Sequence, residues 1–142
     1  MNEPLLEALS YYGVKEVFGP EHNPQIVKFF HDLGYHWIND DETAWCSAFL
    51  NYVCLKTGYE LTYKLTARSW LDLPTRVLTP RLGDIVIFST SDPTSWQGHV
   101  GLYISENHNF IYTLGGNQDN MVGINPYYKS RVLGFRQSRK LM

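Results

Sequence analysis

The chain has 142 residues, 44% of them hydrophobic, which suits one compact domain, 1–142, with a core of its own. Its formal net charge is −2 and no Lys/Arg run stands out, which excludes the basic field that draws nucleic acid. No stretch approaches the ~18 apolar residues of a membrane span, and Met1-Asn-Glu-Pro-Leu-Leu-Glu7 lacks the positive and apolar regions of a Sec-type signal, so synthesis in the cytoplasm is expected.

Residues 4–12 read as a short helix, with Pro4 in its first turn and Leu5, Leu6 and Leu9 on one side; Gly13 ends it. A connector punctuated by Gly19-Pro20 follows. Asn23 and Pro24 then supply the N-cap and first residue of a second helix. Ile26, Phe29, Phe30 and Leu33 form its apolar stripe, and Gly34 closes it. The loop 35–42 ends in Asn39-Asp40-Asp41-Glu42, acidic residues that suit the positive end of a helix. A third helix, with Asp41 or Thr43 as N-cap, runs to about Thr57, where Gly58 stops it. On a helical wheel Cys46, Phe49, Leu50 and Val53 share the core-facing side.

Thr66-Ala-Arg-Ser-Trp-Leu71 has room for one or two helical turns, and Pro74 and Pro80 bracket a connector. The period then changes from helical to alternating. Strands are expected over Asp84–Phe88, His99–Ile104, Phe110–Leu114 and Arg131–Arg136, with Gly115-Gly116 breaking the third. The short turn Glu106–Asn109 implies antiparallel pairing. Helices first and strands afterwards imply an α+β domain, with N-terminal helices packed on a C-terminal antiparallel β-sheet.

The chemistry centres on Cys46. A thiol in the first turn of a helix sits beside unpaired backbone N–H groups, which lower its pKa and offer donors to an oxyanion. The bland alternative is a small buried hydrophobe, the role expected of Cys54. Placed on one helix, the two thiols stand ~12 Å apart, too far for a disulfide, and neither has zinc-ligand spacing. Of five histidines, His99 opens a strand beside Gly101, where another backbone or a substrate has room to approach. The end of the next strand returns near it in a hairpin, bringing Asn117 or Gln118 within reach as the group that orients the imidazole. Trp45, Trp70, Trp96 and Tyr103 are candidates for a cleft wall, with core packing as the competing role. Asp41 and Asp84 are candidates for contact with a substrate amino group, or for capping a helix and holding a turn. A cysteine–histidine site needs no metal and no cofactor.

Several pieces together resemble the NlpC/P60 and CHAP group of cysteine peptidases and amidases, in particular its small, single-domain, phage-associated members. They are Gly13-Val-Lys-Glu-Val, Asn23-Pro-Gln-Ile, Asp41-Glu-Thr-Ala-Trp-Cys46-Ser-Ala-Phe, Ala67-Arg-Ser-Trp70, Gly83-Asp-Ile-Val-Ile-Phe88, Gly98-His99-Val-Gly and Leu114-Gly-Gly-Asn117-Gln. The resemblance implies a papain-like fold and hydrolysis of peptidoglycan, within the stem peptide or at the muramoyl–alanine link. It implies Cys46 as nucleophile, His99 as base and Asn117 as orienting residue. Gly115 stands where many CHAP sites carry a glutamate. Two rivals use the same residues differently: an acyl or amide transferase, and an inactive cell-wall-binding module. Action at the wall or in the periplasm would follow lysis or delivery, as for a phage lysin or a secreted antibacterial toxin. A toxin would imply a cognate immunity protein. A monomer is expected.

Overall fold

A computed structural model describes residues 2–17, 19, 21–41 and 44–142. Three helices, α1 (Glu3–Leu9), α2 (Pro24–His31) and α3 (Cys46–Thr57), precede a 3-10 segment, Ala67–Asp72. Six strands follow: β1 (Arg76–Val77), β2 (Ile85–Ser89), β3 (Gly98–Glu106), β4 (Phe110–Gln118), β5 (Met121–Tyr128) and β6 (Val132–Arg136). They form one antiparallel sheet in the order β1-β6-β2-β3-β4-β5. The expected α+β arrangement is present. Among the described residues no helix is long and apolar enough to cross a membrane.

α3 is the central element. Every residue from Cys46 to Cys54 is buried, because α1 and α2 pack on one side and β3 and β4 on the other. A helix enclosed in this way needs no polar face. Gly58 ends it in the left-handed conformation (φ 76°), as expected of a glycine at that place. Its start differs from expectation. Cys46 is the first helical residue and Trp45 occupies the cap position without a side-chain cap bond. Asp41 lies further upstream and caps nothing there; Glu42 and Thr43 are outside the described residues, as is Pro20 of the first connector.

α2 follows its sequence closely. The Asn23 side chain accepts from the Gln25 N–H, Pro24 opens the helix, and Ile26, Phe29 and Phe30 are buried. α1 is capped by Asn2 and buries Leu5 and Ala8, whereas Leu6 and Leu9 stay exposed. With Pro4 also buried, the inner face is Pro4, Leu5 and Ala8 rather than three leucines.

The sheet departs from expectation in two places. The Gly115-Gly116 pair does not break β4, which continues to Gln118 through a register shift between Gly115 and Gln118. β5 was not foreseen, since Gly123, Asn125 and Pro126 are strand breakers. It is an edge strand, where a proline costs no ladder bond on its open side. Asp119 and Asn120, both at positive φ (54° and 62°), make the two-residue turn that joins β4 to β5.

The sheet is also curled. With β3 and β4 between them, β2 and β5 would stand ~14 Å apart in a flat sheet. Phe88 on β2 and Tyr127 on β5 instead stack with ring centroids 4.8 Å apart. Val86, Phe88, Tyr103 and Ile111 form a second core inside that curl, away from the helices.

Candidate active site

Cys46 is placed by what holds the start of α3. The Ser47 hydroxyl donates to the Lys64 carbonyl (2.6 Å) and accepts from the Trp70 indole N–H (2.9 Å). Asn51, one turn on, accepts from the N–H groups of Thr62 and Tyr63. The Trp45 indole donates to Glu16 (3.0 Å) and its ring packs on Phe29 and Phe49. The helix start is therefore pinned from three directions.

The Cys46 side is 8% exposed and opens into a cavity of about 250 Å³. Ala44, Leu65, Thr66, Ala67, Thr90, Trp96, Gln97 and Gly98 complete its wall. Its sulfur lies against the N–H of Val100, the peptide that joins Val100 to His99, and against the N–H groups of Ser47 and Cys46 itself. Burial raises the thiol pKa above its usual value, and these three donors only partly offset that.

His99 is half-buried on β3. Its Nε2 lies 2.8 Å from Gln118 Oε1. The tautomer follows from the rest of the Gln118 amide. Gln118 Nε2 donates to the main-chain carbonyls of Thr113 (3.0 Å) and Gly123 (2.6 Å), and Thr113 Oγ1 donates to Gln118 Oε1 (3.1 Å). Carbonyls only accept, so the amide nitrogen faces them and the oxygen faces His99. His99 Nε2 is then the donor, and in the neutral ring Nδ1 carries the free lone pair. Burial pulls the imidazole pKa down to about 4, against the raising effect of Gln118. At neutral pH both thiol and imidazole are thus uncharged.

Between the two amides left open by the sequence, the one in contact with His99 is Gln118, not Asn117. The cause is the irregularity in β4. Asn117 takes a left-handed conformation (φ 56°), and the shift of register turns the next side chain, Gln118, inward among Thr113, Gly115 and Gly123. Both glycines serve close approach. A Cβ on Gly115 would lie 2.8 Å from Gln118 Oε1, and one on Gly116 would lie 2.7 Å from both the Trp45 ring and Phe49 Cβ. A glutamate at 115, the residue common in CHAP sites, would thus occupy the space of the Gln118 amide.

Of the expected cleft residues, Trp96 alone lines the cavity; it is 72% exposed. Trp45, Trp70 and Tyr103 are buried, and the Tyr103 hydroxyl donates to Glu106 (2.7 Å) at the far end of β3. Asp41 is fully buried. It accepts from the N–H groups of Val17 (2.6 Å) and Asn23 (2.8 Å) and meets His22 Nδ1 at 3.0 Å. Burial alone would raise its pKa, but these donors hold the carboxyl below the usual range. Asp84 accepts from the Arg81 N–H (2.8 Å) and holds the turn before β2. A larger hollow of about 610 Å³ on α2, bordered by His22 and His31, contains neither Cys46 nor His99.

Sequence reasoning missed Thr113, Tyr127 and the Arg68 strap. Thr113 was visible as a hydroxyl in an otherwise apolar strand. Arg68 donates to the carbonyls of Gln97 (2.9 Å) and Pro93 (3.2 Å) and so fixes the loop that carries Trp96. Nothing local to Tyr127 marks it, because its neighbour His99 lies two strands away.

Comparison with known proteins gives a consistent picture. The family model of the NlpC/P60 family matches residues 33–137. No curated protein matches the chain. Among solved structures, the chain is similar to a Staphylococcus aureus protein described as similar to lipoprotein, NLP/P60 family, with a TM-score of 0.57 and 22% identity over 96% of this chain. The chain spans 40% of the length of that protein, and at this identity the likeness is one of fold.

Proposed function

We propose that this chain, which belongs to the NlpC/P60 family, hydrolyses an amide bond of peptidoglycan through an acyl-enzyme on Cys46. The observation that carries the reading is the position of the Cys46 sulfur: first residue of α3, open to a cavity, and against the peptide that links His99 to Val100.

The steps follow from the two protonation states. His99 Nδ1 takes the thiol proton as Sγ adds to the amide carbonyl carbon. The oxyanion would draw on the N–H groups at the start of α3, which in the resting state face the sulfur. As the C–N bond breaks, the leaving amine takes the proton from His99 and a thioester remains. Water then gives a proton to His99 Nδ1 and adds to the thioester carbon. The C–S bond breaks, the carboxylic product leaves, and the proton returns to sulfur. Gln118 keeps the imidazole in the tautomer these transfers need, the part played by the third member of a triad. A base with its pKa well below neutral is already deprotonated in the resting state.

The cavity wall, with Trp96 at its mouth, offers an apolar face and main-chain polar groups, which suits a peptide joined to a sugar. The bond is either within the stem peptide or at the muramoyl–alanine link.

Purified sacculi from Gram-negative and Gram-positive cells, digested by wild type and by Cys46→Ala and read by mass spectrometry, test this. Soluble fragments from wild type alone are expected, and their termini identify the bond. Release by neither protein would overturn the wall reading and favour a transferase, detectable as product formed with an added amine acceptor.

A further inference from the structure

His99 has a second neighbour that the reaction as written leaves unused. The ring of Tyr127 lies parallel to the imidazole, with centroids 4.5 Å apart and planes 18° apart. Phe88 also lies against Tyr127, at 4.8 Å and 27°. Phe88 and His99 also face each other in the β2–β3 register, with their rings 6.3 Å apart. Phe88 and His99 therefore sit side by side on β2 and β3, and the curl of the sheet brings the near-parallel Tyr127 ring of β5 against both.

The Tyr127 ring answers a difficulty in the chemistry. The site disfavours a charged imidazole, yet thiol attack makes an imidazolium there. Gln118 Oε1 helps by accepting from Nε2, but it touches only the ring edge. An aromatic face carries negative charge density and attracts a cation set over it, more strongly where water is excluded. Tyr127 presents such a face to His99. Its phenol lies in the electrostatic reach of Cys46 and Asp119, and burial holds that phenol protonated far above neutral pH. The ring is thus a neutral π-face throughout a cycle in which sulfur and imidazole change charge.

We infer that Tyr127 is a positioning residue whose ring face stabilises the His99 imidazolium formed when Cys46 loses its proton, and holds the imidazole plane for that transfer. This rests on the reading of Cys46 and His99 as a nucleophile–base pair. It places a working residue on an edge strand, on no recognisable motif.

The test needs no wall substrate. The rate of Cys46 alkylation by iodoacetamide at neutral pH, read by peptide mass spectrometry with buried Cys54 as internal reference, reports formation of the thiolate–imidazolium state. Tyr127→Leu keeps an apolar cover but removes the π-face; Tyr127→Phe keeps the face and removes the hydroxyl. Alkylation about tenfold slower in Tyr127→Leu, and within about threefold of wild type in Tyr127→Phe, is expected. A wild-type rate in Tyr127→Leu overturns the inference, as does equal loss in both variants, which would move the role to the hydroxyl. His99→Ala separates the two levels: an unchanged rate there overturns the nucleophile–base pair itself, and this inference with it.

Discussion

His99 Nε2 donates to Gln118 Oε1 at 2.8 Å, and the opposite end of that amide is fixed by two main-chain carbonyls. The imidazole is therefore held in one tautomer by a side chain that has no freedom to flip. Gln118→Ala should lower kcat/KM on peptidoglycan by about 10²-fold or more, as loss of an orienting group does. Asn117→Gly, which preserves the left-handed backbone while removing the side chain, should stay within about threefold of wild type. Turnover kinetics of the two variants on one substrate decide which amide orients the base.

The pKa of about 4 at His99 makes the fold sensitive to mild acid. An unfolded histidine titrates near 6.5. Between these values the unfolded chain binds the proton and the folded chain does not, so stability falls as pH drops from about 6.5 towards 4. Above 6.5 the contribution is fully present. The expected loss is roughly 3 kcal/mol at pH 4. Urea unfolding of wild type and His99→Gln across this window checks it: the slope in pH should be shallower in the variant.

Gly116 is where the β4 irregularity meets α3. An added methyl would lie 2.7 Å from Phe49 Cβ and from the Trp45 ring, and both of those residues are buried. Neither has space to retreat, so Gly116→Ala should cost roughly 1–3 kcal/mol as an overpacked core does. A fall in the urea midpoint without a change in slope would show this; a neutral substitution would mean that the helix and the strand separate easily.

Trp96 and Asp41 should divide binding from stability. Trp96→Ala removes an exposed ring at the cavity mouth, so KM should rise severalfold while the urea midpoint moves by less than about 0.5 kcal/mol equivalent. Asp41→Asn weakens a buried acceptor of two N–H bonds and of His22, so stability should fall by roughly 2 kcal/mol with KM unchanged. The opposite pattern in either variant would return Asp41 to the substrate or remove Trp96 from it.

What the sequence determined by itself is local. Asn23-Pro24 and Gly58 mark helix ends because a cap and a left-handed terminus need those residue types in place. The alternation Val100/Leu102/Ile104 against His99/Gly101/Tyr103 follows from strand geometry, and the structure puts Val100 and Leu102 in the core under the helices and Tyr103 in the second core. Cys46 and His99 stood out because a thiol at a helix start and a histidine at a strand start are chemically unusual placements. The tertiary structure decided everything that depends on residues far apart in sequence. It set Gln118 rather than Asn117 against His99, because a shift of register against β5 turns one side chain inward and no local rule reports register. It drew Trp45, Trp70 and Asp41 into the interior, because burial depends on what packs above them. It kept β5 as a strand despite Pro126, because an edge forgives a missing donor. It set Tyr127 on His99, because only the curl of the whole sheet brings β5 across to β3.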